Sequence, residues 1–116
     1  MPKNKTREQL EKDEIKRLKK VYEGMPPKAR AVADGLIVQA ARLRVQLNEL
    51  NADIQENGLT ELFTQSEKIE PYTRTRPEAE LFIKADKSYQ AIIRQLTELI
   101  PTEDPVKDDL DAFRNG

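Results

Sequence analysis

The sequence predicts an all-α protein: a long antiparallel helical hairpin, with a preceding basic helix and a short acidic carboxy-terminal helix. Three observations predict it. Two segments carry apolar residues at alternating steps of three and four, the spacing of a helical seam. Proline and glycine stand at the positions where such helices start and stop. With 37% hydrophobic, 35% charged and only 5% aromatic residues, the composition suits helices that are apolar along one stripe and charged elsewhere.

The expected organisation is a basic segment and helix over 1–24, a central hairpin over 25–101, and an acidic helix over 102–116. Thr6 with Gln9 three residues on forms a capping box, and Leu10, Ile15, Leu18 and Tyr22 continue a loose stripe towards Gly24. Pro26-Pro27 then marks a turn, with Pro27 at the first position of a second helix. Leu36, Ala40, Leu43, Leu47, Leu50 and Ile54 form its seam, extendable backwards through Ala33 and Ala29. Asn57-Gly58 is expected to close this helix, spanning about 27–57, as a left-handed cap. Gly35 inside it signals a kink, a short break or a close helix contact.

The connection over 58–76 leaves two readings open, a hairpin or an irregular loop with one short turn, because its alternation is weak. Thr75-Arg76-Pro77-Glu78 reads as a helix start with Thr75 as cap and Glu78 completing the box. Phe82, Ala85, Tyr89, Ile92, Leu96 and Leu99 follow as a second seam. Leu81, Ile93 and Ile100 widen it, so this helix, over about 77–100, is expected to be buried on more than one side. Asp104-Pro105 starts the last helix, whose apolar edge is Val106, Leu110 and Phe113. Too short to be stable alone, that helix must dock on something.

Chemistry is restricted by what is missing. The chain has no His and no Cys, which removes the commonest general base and the soft metal ligands. Gly24, Gly35, Gly58 and Gly116 stand apart, so no glycine-rich phosphate loop exists. Glu8, Glu11 and Glu14 share a helical face, but Lys12, Arg17 and Lys19 crowd them, and a solvated surface is the expected reading. No catalytic residue, metal site or cofactor is expected. No apolar run approaches a membrane span, and no signal-peptide core is present, so the expected location is cytoplasmic.

Charge is where function shows. Residues 1–30 hold ten Lys/Arg against five Asp/Glu, whereas 101–116 hold two against five. A basic head and an acidic tail suit two different partners, one of them anionic. Lys3, Lys5, Arg7, Lys12, Lys16, Arg17, Lys19 and Lys20 are the candidate phosphate contacts. The opposing reading is an ordinary solvated helix, since Glu8–Lys12 and Asp13–Arg17 have i,i+4 spacing. Arg42 and Arg44 flank Leu43, and Arg74 and Arg76 stand beside Tyr72 in the connection, as smaller basic clusters.

The order of these pieces resembles a known family. "EIKRLKKVYEGMPPKARAVADGLIVQAARLRVQLNELNADIQENG" is followed by a variable loop, then by "RPEAELFIKADKSYQAIIRQLTELIP" and an acidic tail. This is similar to small terminase subunits of tailed bacteriophages and related prophage-encoded proteins of Gram-positive bacteria, over residues 14 to 101. The telling pieces are Gln39-Ala40-Ala41 leading into Leu43 and Leu47, Asn57-Gly58, Arg76-Pro77-Glu78, and Tyr89 through Pro101. The resemblance implies a non-enzymatic DNA-packaging factor in the bacterial host cell. It would bind viral double-stranded DNA through the basic segment and form a homo-oligomeric ring through the hairpin. Val106, Leu110 and Phe113 would engage the large terminase subunit. Two departures stand out: no clear helix-turn-helix is visible, and the connection lacks the further Gly and Asn residues that relatives often carry there. The rival readings are a coiled-coil adaptor with no nucleic-acid role and a helical carboxylate-dependent nucleotide hydrolase. The seams exceed what one hairpin can hide, so a homo-oligomer is expected.

Overall fold

The computed structural model describes residues 5–100. Lys3, the end of the chain from residue 101, and with it the expected helix carrying Val106, Leu110 and Phe113, lie outside the described residues. The described chain is mostly helical, in the order α1 (Arg7–Val21), α2 (Pro27–Asn57), β1 (Thr60–Phe63), β2 (Tyr72–Thr75) and α3 (Pro77–Glu98).

α1 begins as its sequence predicts. The Thr6 hydroxyl accepts from the Gln9 amide at 3.2 Å, while the Gln9 side chain accepts from the Thr6 amide at 3.0 Å, which satisfies two of the donors left free at a helix start. The helix closes with the Tyr22 amide donating to the Leu18 carbonyl, and Gly24 takes a φ of +87° as the chain turns.

α2 opens on Pro26 and Pro27 without a side-chain cap and runs unbroken through Gly35 to Asn57. A Cβ built on Gly35 meets no atom within 4 Å, so the glycine marks neither a break nor a close contact among the described residues. Gly35→Ala is therefore expected to raise stability by about 1 kcal/mol, through helix propensity and a less flexible unfolded chain. A higher urea midpoint at unchanged slope would show it.

At the other end the Gly58 amide donates to the Ile54 carbonyl at 2.7 Å. Its φ of +85° is combined with a ψ of 177°. The expected left-handed cap is thus corrected: Gly58 occupies the extended positive-φ region that only glycine adopts freely, and it directs the chain into a strand.

The all-α expectation misses that strand and its partner. β1 and β2 form a two-stranded antiparallel ribbon, with Thr60 opposite Thr75, Glu61 opposite Arg74, Leu62 opposite Thr73 and Phe63 opposite Tyr72. Cross-strand pairs hold it. Arg74 Nε lies 2.6 Å from Glu61, its guanidinium sits 3.6 Å from the Phe63 ring centre, and Phe63 meets Tyr72 edge-on at 5.8 Å. The Arg76 amide donates to the Leu59 carbonyl, extending the pairing by one step. Thr75 is consequently a strand residue; Arg76 is the residue preceding α3, with no side-chain cap, so the Thr75–Glu78 capping box does not form.

α2 packs on α1 along one side and α3 along another, both antiparallel to it. The main core joins Leu18, Tyr22 and Met25 from α1 and its turn, Ala33, Ile37, Ala40 and Ala41 from α2, and Leu96 from α3. Buried Leu47, Ala79 and Ala85 continue burial towards the strands. α3 ends at Glu98, slightly short of the expected limit near residue 100. Leu81 and Ile100, expected to widen its buried stripe, are 49% and 41% exposed. Of the three widening residues, Ile93 is packed against the core.

Candidate nucleic-acid interface and assembly faces

α1 is fixed by one buried edge, on which Ile15, Leu18 and Tyr22 turn inward. Helical geometry then leaves the lysines facing out, and Lys5, Lys12, Lys16, Lys19 and Lys20 are all exposed. Exposure does not make them equal. Lys5 pairs with Asp13, Lys12 with Glu8 and Arg17 with Glu14. Arg7 reaches across to α2, where its Nε donates to Glu49 at 2.8 Å and its Nη2 to the second Glu49 oxygen. Such two-point arginine–carboxylate contacts fix geometry as well as charge. They raise both arginines further above their already high pKa, through the hydrogen bonds to Glu49 for Arg7 and to Glu14 for Arg17. These cations stay charged, but each already has a carboxylate beside it.

The Glu8, Glu11 and Glu14 face is distributed in the same way. Glu8 lies beside Lys12, Glu14 takes both Arg17 nitrogens, and Glu11 sits 4.0 Å from Arg42 of α2. The spacing of Asp13 and Arg17 suggested an i,i+4 pair; the fold gives Arg17 to Glu14 and Asp13 to Lys5. Arg42 and Arg44 also find partners within the chain, since the Arg44 guanidinium stands 5.0 Å from the Tyr89 ring centre.

The seam residues divide into two groups. Ala40, Leu47 and Leu96 are fully buried, while Leu36, Leu43, Leu50, Ile54, Phe82, Tyr89, Ile92 and Leu99 are half-buried. Leu43 and Ile92 line an open groove between α2 and α3, together with Gln39, Arg42, Ser88 and Ala91. A second stripe on α2, absent from the predicted seam apart from Ala33, packs towards α1: Ala33, Ile37, Ala41 and Val45 are buried. Its signal was a strict step of four starting from Ala33.

In the connection, the basic and aromatic cluster is spent on structure. Arg74 is held by Glu61 and Phe63, as above. The Arg76 side chain, 11% exposed, donates to the Gly58 carbonyl at 2.8 Å and pairs with Asp53 at 2.9 Å and Glu78 at 3.4 Å. It therefore ties the end of α2 to the start of α3. The apolar side chains of this region behave differently. Leu59, Leu62, Ile69 and Tyr72 are exposed, Leu62 by 71%, on and beside a ribbon too small to be stable without support.

No group of His, Cys, Asp or Glu able to hold a metal ion occurs among the described residues, and none of their helices is long and apolar enough to cross a membrane. No family model, curated protein or solved structure matches the chain.

Proposed function

We propose that the chain is a non-enzymatic small terminase subunit, which binds viral DNA and recruits or regulates the large terminase motor during genome packaging. The observation that supports this best is a set of exposed lysines, Lys16, Lys19 and Lys20, with no ion-pair partner among the described residues. They stand on a helix docked against a long helical hairpin, in the stretch whose sequence resembles that family. Free cations on a rigid element suit a phosphate backbone, because binding then displaces condensed counterions without breaking internal pairs. The homo-oligomer belongs to the same reading. Several copies of a modest basic surface acting on one polyanion gain avidity that a single copy lacks.

A coiled-coil adaptor without a nucleic-acid role is favoured by a different observation, the exposed Leu59, Leu62, Ile69 and Tyr72. Apolar side chains left in water on and beside the ribbon suit contact with a protein partner. Light scattering of the purified protein, with and without duplex DNA at low and moderate salt, separates the two. The terminase reading expects a discrete multi-subunit species that gains mass with DNA and loses it as salt rises. A monomer or dimer indifferent to DNA at low salt would leave the adaptor.

A further inference from the structure

A cation helps to hold a phosphate in proportion to how little negative charge stands beside it. On that measure the basic head is not one surface. With the Glu14–Arg17 pair counted as neutral, residues 5–14 carry three basic against three acidic residues, a net charge of 0, whereas 16–34 carry five against two, a net charge of +3. The positive charge of the amino-terminal region is therefore concentrated around the turn between α1 and α2.

The fold folds this stretch back on itself. Tyr22 and Met25 are buried under the turn and Ala33 under the start of α2, which brings the last turns of α1 against the first turns of α2. Lys19 and Arg30 line one narrow cleft with Tyr22, Met25, Ala33 and Asp34. The first turn of α2 contains no acidic residue. Lys16, Lys19, Lys20, Lys28 and Arg30 are all exposed, and none is in an ion pair among the described residues. The acids of this stretch are Glu23 and Asp34.

We propose that this corner is the surface that grips the phosphodiester backbone of duplex DNA. In it, Lys28 and Arg30 of α2 act together with Lys16, Lys19 and Lys20 of α1. Lys5, Arg7 and Lys12, neutralised within the chain, contribute little. The proposal rests on the DNA-binding reading and adds the face and two residues that the pattern of α1 does not contain.

Two full-length double variants with the same loss of charge test it, Lys28→Gln/Arg30→Gln and Lys5→Gln/Lys12→Gln. All four positions are exposed, and circular dichroism checks that both variants keep their helices. Binding to a fluorescent duplex is followed by anisotropy over a series of salt concentrations. Removing two phosphate contacts reduces the slope of log K against log salt by about 1.8 and weakens binding on the order of tenfold or more near ~0.1 M salt. The corner variant is expected to show both changes, and the Lys5/Lys12 variant to stay within about twofold of wild type. Equal weakening by the two variants overturns the proposal, as does an unchanged slope in the corner variant. If wild type itself shows no salt-dependent binding, the DNA reading fails. The corner is then tested as an anion surface by titrating inorganic pyrophosphate and following backbone amides. Shifts grouped at residues 16–20 and 28–30 support it, and shifts elsewhere or nowhere overturn it.

Discussion

Leu96→Ala is expected to cost about 2–5 kcal/mol, the range for emptying a fully buried leucine site. Leu96 is 0% exposed and sits where all three helices meet, in one cluster with Leu18, Tyr22 and Met25 and with Ile37, Ala40 and Ala41. Truncation leaves a cavity that cannot close without moving α1 or α3, so the loss falls on the anchoring of both. Domains of this size have total stabilities of about 5–15 kcal/mol, so the variant is expected to unfold at a far lower urea concentration. Leu81→Ala is the matched control. Both leucines were read into the apolar stripe of the same helix, but Leu81 is 49% exposed, and its truncation is expected to change stability by no more than about 0.5 kcal/mol. Equal effects would mean that Leu96 is not at the junction described.

Arg76→Ala is the second large effect, expected at about 2–3 kcal/mol. The penalty comes from what the guanidinium leaves behind. The Gly58 carbonyl loses a donor, and Asp53 loses the cation beside an oxygen that has no hydrogen-bond partner of its own. That oxygen lies 2.9 Å from Arg76 Nη2 and is paired with it by charge. The other Asp53 oxygen accepts from Asn57 at 2.8 Å. This makes a sign prediction possible. Asp53→Asn removes the stranded charge and retains an oxygen for Asn57, so the double variant is expected to be more stable than Arg76→Ala alone. Urea unfolding followed by far-ultraviolet circular dichroism measures both. A double variant weaker than the single one would show that Asp53 is not the group that Arg76 satisfies.

The helices could be read in the sequence because what starts and stops them is local. Thr6 and Gln9 cap each other across three residues, and Pro27 and Gly58 bracket α2 at its observed limits. Pro77 opens α3 for the same reason, since a missing amide does no harm at a first helical position. The strands were not readable in this way. Thr60–Phe63 and Tyr72–Thr75 are four residues each, too short for alternation to separate a ribbon from an irregular loop. What stabilises them is the match of Glu61 with Arg74 and of Phe63 with Tyr72, which exists only once the chain has turned back. Thr75 illustrates the conflict: its local pattern favours a helix cap, and its pairing with Thr60 makes it a strand residue instead.

The candidate site divides along the same line. The sequence by itself determined the kinds of residue available: a lysine-rich first helix, two apolar seams, an acidic end, and neither histidine nor cysteine. The tertiary structure decided which cations are neutralised, since Arg7 meets Glu49 from 42 residues away and Glu11 stands against Arg42 from the next helix. It also decided that α2 buries a second stripe, Ile37, Ala41 and Val45, and that Arg30 shares a cleft with Lys19. The physical reason is range. Helical hydrogen bonds and caps close within about four residues and are written in local spacing, whereas ion pairs, strand ladders and core contacts join residues that only the fold brings together.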